Sequence, residues 1–579
     1  MMCNPRIVRR PCGQAGRWPE TMLPLLRRIY AARGVTDAPS AQPRLGQLLS
    51  PELLHNSGVA AELLADAIAQ QRRILVVGDF DCDGATACAV GVRGLRMLGG
   101  LDVHHAVPNR MVHGYGLSPA LVDELAALQP DVLVTVDHGI ACHAGVAAAK
   151  ARGWTVVITD HHLPGDALPP ADAIVDPNLP EDTFPSKTLA GVGVIFYVLL
   201  ALRSVLRARG AFAGCAEPDL SVLLDLVAVG TVADLVPLDT NNRALVAAGL
   251  RRLRQGKGCV GLRALIEASG RDVARLSASD IGFALGPRLN AAGRLEDMAL
   301  GIELLLSQDW SQAREIAGTL EQINAERRAV QQLMTDDAEQ AVTKVVLDAD
   351  GALPIAACLF DAQWHPGVIG LVASKLKDRL HRPVIALAPV EPGSSQLRGS
   401  ARSIPGLHIR DVLAVVDARH PGLIQKFGGH AMAAGLSIEH TALARFEQAF
   451  QSQVMAMVDA SLLYAQLHSD GELAAHELDH VHAEALRVAG PWGQGFPEPL
   501  FDGRFEVLQY CVLKERHLKL TLRCVGRTEP LNAIHFNGWR GSEPARWVRL
   551  AYRLVADDYR GGTAVQLIVE HCEPVTGTG

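Results

Sequence analysis

The sequence predicts a multidomain α/β protein that ends in a small β-barrel, and three observations lead to this fold class. The chain has 579 residues, a length that suits about three or four domains. Apolar runs typical of buried strands alternate with Ala- and Leu-rich helical stretches from about residue 74. Runs in which apolar and polar residues alternate follow after about residue 500, as in strands with one buried face.

Composition excludes several classes of protein. Hydrophobic residues make up 49% and charged residues 20% of the chain, so folded cores are expected and bulk disorder is not. The net charge of −7 excludes a globally basic nucleic-acid binder but leaves local basic patches open. The eleven cysteines form no CxxC pair, which argues against zinc ribbons and disulfides. No signal segment or membrane-length apolar run is present, so a soluble cytoplasmic protein is expected.

The chain begins with a basic segment. Residues 1–34 hold seven Arg and one acid, Glu20, and Pro5, Pro11 and Pro19 oppose regular structure there. We expect residues 1–50 to form an N-terminal basic arm that is mainly solvated.

Residues 51–295 are predicted to form a doubly wound domain with a parallel sheet. Continuous apolar strands such as VLVTV indicate burial on both faces, as in a parallel sheet covered by helices. The predicted strands are 74–78, 103–107, 132–136, 155–159 and 173–175.

Three further segments complete the predicted architecture. Residues 296–345 are charged, with apolar residues at helical spacing, and predict one long connecting helix. Residues 346–460 predict a second α/β domain with the apolar runs IAACLF and PVIALA. Residues 461–579 contain the runs HLKLTLRCV, WVRLAYRLVA and TAVQLIVEHC, which predict an OB-like β-barrel.

The strongest chemical signal is VVGDFDCDG, where Asp79, Asp81 and Asp83 follow a buried strand. Alternate side chains of an extended backbone share one side, so the three carboxylates converge and favour a divalent cation. The spacing also matches the start of an EF-hand loop. That alternative fails because position 12 is Val90 instead of Glu and a strand, not a helix, precedes the motif.

Two other predicted strands end in polar residues. Asp137 and His138 follow one, and the triplet 160–162, Asp-His-His, follows the next. Because the carboxyl ends of strands form the ligand crevice of an open α/β sheet, one shared site is expected. Later, an apolar stretch contains Asp225 and Asp234, and one of them is expected to join the site because a buried acid is costly unless it is paired or metal-bound.

Carboxylates with imidazoles and without cysteine form a hard site that favours Mn²⁺ or Mg²⁺. Five or six acids suit two ions, which together cleave phosphodiester or pyrophosphate bonds. Cations that could grip phosphate lie in Gly- or Ser-containing segments, at Arg110, Arg288, Arg294 and Arg402, with a structural salt bridge as the alternative for each. The Gly428–His430 segment is expected to present backbone N–H groups at a helix N-terminus, with close packing of glycines as the alternative.

Two weaker nucleic-acid signals lie outside this site. The segment from Arg243 to Arg275 contains eight Lys or Arg residues and two acids, which makes it a candidate surface for a DNA strand, with an ordinary solvated helix favoured for its individual residues. The aromatic residues Trp492, Phe496 and Tyr510, with Phe536, suit either base stacking or a barrel core, and the core is favoured.

A known family carries these motifs in the same order: DFDCDGATA, PNRMVHGYGLS, TVDHGI, TDHH, LVAVGTVADLVPLD, GFALGPRLNAAGRL, GSARSIPGLH and FGGHAMAAG. From about residue 50 onward the chain resembles the RecJ family of single-stranded-DNA-specific 5′→3′ exonucleases in the DHH phosphoesterase superfamily. The resemblance implies a DHH domain, a connecting helix, a DHHA1 domain and an OB-like domain. It also implies metal-dependent release of mononucleotides from the 5′ end in DNA repair and recombination.

The resemblance implies roles for individual residues. The implied metal ligands are Asp79, Asp81, Asp83, Asp137, His161 and Asp225, and the catalytic residues are Asp81, Asp137, His161 and His162, with His162 orienting water or a phosphate oxygen. The implied substrate-binding residues are Arg110, Arg288, Arg294, Ser400, Arg402, Gly429 and His430. His138 departs from the Asn or Cys expected there, and a neutral replacement is favoured over an added donor.

Two other functions share this metal site. A short-substrate DHH–DHHA1 phosphodiesterase would end near residue 455 and leave the β-rich C-terminal region unexplained. A non-catalytic DNA-binding scaffold would have lost the metal acids, which are present here. The implied partners are single-stranded DNA, a single-strand-binding protein and a RecQ-type helicase, and a monomer is expected.

Overall fold

A computed structural model describes residues 5–11, 13–14, 16–109, 112–348, 354–557 and 562–575, without the side chains of 341–348. Arg110 therefore lies outside the described residues.

The N-terminal segment is folded against the C-terminal domain. Strand β1 (Arg6–Arg9) pairs in parallel with the strand Gln466–Ser469. Helix α1 (Pro24–Ala31) buries its apolar face, and the short helix α2 (Ala38–Ala41) follows. The Tyr30 ring stacks on the Trp492 ring, with ring centroids 6.1 Å apart.

The arginines of this segment bind acids of the C-terminal domain. Arg9 donates to Asp502 at 2.9 Å. Arg33 donates to both carboxylate oxygens of Asp470, at 2.8 and 3.0 Å, and both side chains are 1% exposed. The expectation of a solvated arm is wrong, because partners distant in sequence bury its charges and its apolar face.

The first domain contains a five-stranded parallel sheet with the order β3-β2-β4-β5-β6, which confirms the doubly wound α/β prediction. Alternate residues of its central strands enter cores on opposite faces. Its strands are β2 (Ile74–Val77), β3 (Val103–Ala106), β4 (Val132–Val136), β5 (Thr155–Thr159) and β6 (Ala173–Val175). Its helices are α3 (Ser57–Ala69), α4 (Cys82–Met97), α5 (Pro119–Leu125), α6 (His143–Ala151), α7 (Gly191–Ala208), α8 (Leu224–Ala233), α9 (Thr240–Arg254), α10 (Val260–Ser269), α11 (Ala278–Asp280) and α12 (Gly286–Leu295), with a π-helical turn at Ile281–Leu285.

Helix α7 is long and apolar enough to cross a membrane by length and composition alone. It is instead a core helix of the first domain, since 67% of it is buried and it packs against α3 and α4.

The connection to the second domain is two helices, α13 (Ala299–Leu306) and α14 (Trp310–Asp348), where the sequence predicted one. The break occurs because the Asp309 carboxylate accepts the Gln312 N–H at 2.8 Å and starts a new helix.

The second domain has a five-stranded sheet with the order β10-β11-β9-β8-β7, as expected for a second α/β domain. Only the β7–β8 pair in it is parallel. Its elements are β7 (Ala357–Phe360), α15 (Ile369–Leu380), β8 (Val384–Pro389), β9 (Gln396–Arg402), α16 (Ile409–Arg419), β10 (Lys426–Gly429), β11 (Ala433–Glu439) and α17 (Leu443–Met457).

The C-terminal domain ends in a closed barrel with the order β13-β14-β15-β17-β16, which confirms the barrel prediction. Trp492 and Phe496 stack on each other at 5.2 Å and pack in the core, as favoured, whereas the core interpretation is wrong for Tyr510 and Phe536, which are 38% and 54% exposed. The elements are β12 (Gln466–Ser469), α18 (His480–Val488), β13 (Phe501–Leu513), β14 (His517–Arg523), β15 (Leu531–His535), β16 (Trp547–Ala556) and β17 (Val565–Pro574).

Candidate metal centre

The carboxyl ends of β2, β4 and β5 bring most of the predicted acids and imidazoles to one edge of the first sheet. Asp79 and Asp81 lie between β2 and α4, Asp83 lies in the first turn of α4, and Asp137 directly follows β4. Their potential ligand atoms fall into three overlapping groups, each within 4.8 Å: Asp79, Asp81 and Asp137; Asp83, His161 and Asp234; Asp137, His161 and His162.

The first two groups adjoin each other. Asp137 Oδ1 lies 3.1 Å from His161 Nε2, which in turn lies 3.5 Å from Asp234 Oδ2. The Asp137 and His161 atoms are buried and face each other without hydrogen-bond geometry, as two ligands of a cation do. Two adjoining groups of hard ligands fit two divalent cations with Asp137 at the border.

The acids of the centre are mostly buried and close together, so their negative charges repel one another. Burial and the charge of Asp81 raise the pKa of Asp83 to about 7. Burial, followed by the charge of Asp83, raises the pKa of both Asp137 and Asp234 well above its usual range. Divalent cations relieve such repulsion, so this electrostatic pattern agrees with a metal centre.

The N-terminus of α7 positions two of the acids, Asp83 and Asp137. The backbone N–H groups of Gly191 and Val192 donate to the Asp83 carboxylate at 2.6 and 3.1 Å. A Cβ atom on Gly191 would lie 2.5 Å from Asp137 Oδ1, so only glycine allows this approach. The helix start thus fixes one acid from each of the adjoining groups.

Asp160 positions His161 and His162 through hydrogen bonds. Its carboxylate accepts the Ile140 and His161 N–H groups at 2.9 and 2.7 Å and lies 2.7 Å from His162 Nδ1. Burial opposes a charge on His162, but the hydrogen bond to Asp160 raises its pKa to about 9. The Asp160 carboxylate thus favours the protonated form of the His162 imidazole over the neutral form.

His138 lies beneath the centre and belongs to none of the three groups. It is fully buried with Nε2 3.1 Å from the Val77 carbonyl, and burial lowers its pKa to about 4. These contacts agree with the favoured interpretation, a neutral replacement.

Asp225 is not brought to the centre, and Asp234 is. The Asp225 carboxylate is buried elsewhere and accepts the N–H groups of Cys259 and Leu226, at 2.6 and 2.9 Å. Nine residues turn a helix by about two and a half turns, so the two acids lie on opposite faces. Gly230 is a sequence signal that could have favoured Asp234 over Asp225, because Gly230 lies on the same helix face as Asp234. That face packs closely against the first acidic motif: a Cβ atom on Gly230 would lie 2.6 Å from Asp83 Oδ1.

Ser400 and Arg402 lie together on β9. The Arg402 guanidinium donates to Ser400 Oγ at 2.9 Å and to Ser374 Oγ at 3.1 Å. Strand β9 pairs with β11, and the turn between β10 and β11 carries His430 to the His162 ring, with centroids 6.1 Å apart. The second domain therefore reaches the metal centre with the same sheet that bears Ser400 and Arg402.

Gly429 does not lie at a helix N-terminus. It ends β10 with φ of 144°, and a Cβ there would lie 2.4 Å from the Ala433 carbonyl oxygen. The expectation of a helical phosphate cradle is wrong, and close packing of a glycine hairpin is what the structure contains.

The remaining predicted arginines differ in their surroundings. Arg288 is 8% exposed, forms an ion pair with Glu321 and donates to the Ala284 carbonyl at 2.7 Å, so the structural alternative describes it. Arg294 donates to the Gly367 carbonyl of the second domain at 3.3 Å and lines a cavity beside the centre.

The basic segment 243–275 serves two purposes. Arg243 is buried, with its guanidinium 4.0 Å from the Phe496 ring centre, and so joins the first domain to the C-terminal domain. Other members line a cleft of about 1460 Å³ shared by these two domains: Arg251, Arg254, Arg271 and Arg275. Part of the candidate DNA-strand surface predicted from sequence is therefore one wall of an interdomain cleft.

Comparisons with known proteins agree with this architecture. Family models match the DHH family N-terminal domain at residues 73–231, the DHHA1 domain at 351–456 and the RecJ OB domain at 469–571. The single-stranded-DNA-specific exonuclease RecJ of Dickeya dadantii is 51% identical over 98% of this chain and 99% of that protein. The Escherichia coli protein of the same name is 47% identical with the same coverage.

Solved structures give the same result. Thermus thermophilus RecJ in complex with Mn²⁺ aligns with a TM-score of 0.79 at 31% identity, covering 96% of this chain and 76% of that chain. The complex with Mg²⁺ aligns with a TM-score of 0.73 at 28% identity, covering 96% and 75%. With three domain models matched in order and relatives aligned over nearly their whole length, the chain belongs to the RecJ family of single-stranded-DNA-specific exonucleases.

Proposed function

We propose that this chain, a metal-dependent exonuclease of single-stranded DNA, removes mononucleotides from the 5′ end in DNA repair and recombination. The observation that carries the proposal is the pair of adjoining acidic groups at the strand ends of the first sheet. Two divalent cations supply an activated water and stabilise the leaving oxygen in phosphodiester hydrolysis.

The ligand assignment follows from the two groups. Asp79, Asp81 and Asp137 hold one cation, and Asp83, His161 and Asp234 hold the other. His162, kept protonated by Asp160, donates a hydrogen bond to a phosphate oxygen of the scissile linkage.

The second domain sets the polarity. Arg402 and Ser400 grip the terminal 5′-phosphate, and His430 of the same sheet lies against His162 of the metal centre. A grip on the terminal phosphate at a fixed distance from the cations leaves only the first linkage in position for cleavage, so mononucleotides are released.

Arg402→Ala is expected to lose the preference for 5′-phosphorylated over 5′-hydroxyl ends. A charge-assisted hydrogen bond contributes about 1.5–3 kcal/mol, which is roughly ten- to a hundredfold in rate. The measurement is the ratio of kcat/KM for the two kinds of end. Arg419→Ala is a matched control, because Arg419 binds Gln453 between α16 and α17. An unchanged ratio in Arg402→Ala would show that the phosphate is held elsewhere.

Polarity itself is tested with single strands labelled at one end and incubated with Mn²⁺ or Mg²⁺. A 5′ label appears at once as mononucleotide, whereas a 3′ label appears only after the strand has been consumed. The opposite order of release would refute the proposed polarity, and a dependence on strands of only a few nucleotides would favour the short-substrate phosphodiesterase.

Cellular context is a separate part of the proposal. We propose a cytoplasmic monomer that works with a single-strand-binding protein and a RecQ-type helicase, which would supply single strands. Sedimentation of the pure protein tests whether it is a monomer, and degradation assays on duplex DNA with and without the helicase test whether the two proteins work together.

A further inference from the structure

A fourth strand of the first sheet also ends in an acid. Asp176 directly follows β6, at the same edge of the sheet as Asp79, Asp137 and Asp160. It is fully buried, and its Oδ2 atom has no hydrogen-bond partner among the described residues. Asp176 belongs to none of the three ligand groups. Its carboxylate is therefore placed to act through its neighbours, as that of Asp160 is.

Asp176 shapes a turn that reaches His161. Its Oδ1 atom accepts the Asn178 N–H at 2.7 Å, and its carbonyl accepts the Leu179 N–H at 3.2 Å. A side chain that accepts the N–H two residues further on forms an Asx turn. The turn directs the Asn178 amide to His161, whose backbone carbonyl accepts the Nδ2–H at 2.6 Å. Asn178 thus joins the ends of β5 and β6.

The turn is anchored on its other side. The Pro177 carbonyl accepts a hydrogen bond from Lys187 Nζ at 2.6 Å, and the same ammonium group lies 3.2 Å from the buried Asp182 carboxylate. Pro177 itself is buried, and a proline has a fixed φ. A turn held in this way has little freedom, so it presents the Asn178 amide at a fixed place.

His161 is held through its backbone and through its ring. Its N–H donates to Asp160 at 2.7 Å, and its carbonyl accepts from Asn178. The ring donates to the Leu189 carbonyl, and its Nε2 atom faces the Asp234 carboxylate at 3.5 Å. Such outer contacts fix the tautomer and the orientation of a metal-ligating histidine. Asn178 supplies the contact on the carbonyl side.

Two proposed cation sites differ in their distance from this turn: the histidine site, made of Asp83, His161 and Asp234, and the carboxylate site, made of Asp79, Asp81 and Asp137. We propose that Asn178 is a positioning residue for the histidine site and that Asp176 acts through it. The inference rests on the ligand assignment of the proposed function and adds residues that lie outside the ligand groups.

The test is the binding of Mn²⁺ alone to the full chain, followed by the electron paramagnetic resonance signal of free Mn²⁺, in Asn178→Asp. Aspartate matches asparagine in size but cannot donate to the His161 carbonyl. We expect the affinity for one of two ions to fall by roughly 10- to 100-fold and that for the other to stay within about threefold. The Mn²⁺ concentration for half-maximal hydrolysis rises accordingly, whereas kcat at saturating Mn²⁺ changes little.

Asn56→Asp is a matched control. Asn56 is half-buried like Asn178, and its Nδ2 atom donates to the Ile174 carbonyl of β6 at 3.1 Å. The variant removes the same kind of bond from the same strand, but no ligand of the metal centre is involved. It is expected to bind both ions like the unmodified protein.

A double variant identifies the weakened site. Asp234→Asn is expected to lose the ion of the histidine site and to keep the other. Adding Asn178→Asp to Asp234→Asn is therefore expected to leave the affinity for the remaining ion unchanged. A further loss of affinity for that ion would contradict a role confined to the histidine site.

Two substitutions of Asp176 give a second, independent test. Burial raises the pKa of Asp176 to about 8, so a neutral side chain suits this position. Asp176→Asn still offers an oxygen to the Asn178 N–H and is expected to keep both affinities. Asp176→Ala removes that oxygen and is expected to weaken the same ion as Asn178→Asp does. Equal affinities in the two Asp176 variants would contradict the role of the turn.

The possible outcomes are distinct. Fewer than two ions in the unmodified protein would refute the ligand assignment of the proposed function. Two ions with unchanged affinities in Asn178→Asp would overturn only the positioning role. Equal weakening of both ions, with a free energy of unfolding of the metal-free protein below that of Asn56→Asp, would assign the turn to folding alone and would also overturn it.

Discussion

Asp137→Asn is expected to reduce hydrolysis of single-stranded DNA by at least about a thousandfold, which corresponds to about 4 kcal/mol of transition-state stabilisation. Asp137 contributes to two of the three ligand groups and lies at the border between the proposed cations. Asparagine suits the position, because the residue has φ of 64° and asparagine tolerates a left-handed backbone better than alanine does. Loss of one repelling carboxylate also leaves the free energy of unfolding unchanged or higher.

The measurement combines the rate of mononucleotide release at saturating Mn²⁺ with strand binding and urea unfolding. Asp131→Asn is a matched control, since Asp131 is exposed at the opposite end of β4. The variant is expected to bind the strand and unfold like the unmodified protein. A rate for Asp137→Asn near that of Asp131→Asn would contradict the site assignment.

Asp470→Ala is expected to destabilise the C-terminal domain by about 3–5 kcal/mol, the cost of leaving one partner of a buried ion pair uncompensated. Arg33 donates two hydrogen bonds to this carboxylate, and both side chains are 1% exposed. Asp470 also accepts the Leu500 N–H at 3.1 Å, just before the first barrel strand. The pair therefore joins the N-terminal segment to the barrel.

Unfolding in urea, followed by tryptophan fluorescence, measures this effect, because Trp492 lies beside the Arg33 guanidinium at 5.3 Å. Arg207→Ala is the control, since Arg207 pairs with Glu217 at an exposed site and is expected to change the midpoint little. A midpoint for Asp470→Ala equal to that of Arg207→Ala would show that the N-terminal segment does not stabilise the barrel.

The parts of the fold that sequence predicted are those determined by local patterns. Four of the five strands of the first sheet are mainly apolar runs, with β3 (VHHA) as the exception, and the barrel strand β14 alternates regularly between its two faces. The fold of the N-terminal segment was missed because its arginines pair with Asp470 and Asp502, acids that no local pattern connects to it. The Gly-rich hairpin β10–β11 was missed because pairing with β9 overrides the low strand propensity of Gly and Ala.

The site was predictable where a strand end determined it. Asp79, Asp81, Asp83, Asp137 and His161 all follow strands, and the structure brings them together. The choice between Asp225 and Asp234 depended instead on which face of α8 points to the sheet, and both faces of that helix are apolar and buried. The position of Ser400 and Arg402 relative to the metal centre depends on how two domains meet, which the order of the motifs does not contain.

The most direct test of the metal centre is the number of Mn²⁺ ions bound per chain, measured by equilibrium dialysis for the unmodified protein, Asp234→Asn and Asp225→Asn. We expect two ions for the unmodified protein and for Asp225→Asn, whose side chain bonds only backbone N–H groups in the described structure. We expect one ion for Asp234→Asn, because Asp234 completes the group with Asp83 and His161. Two ions in Asp234→Asn together with one in Asp225→Asn would contradict the account.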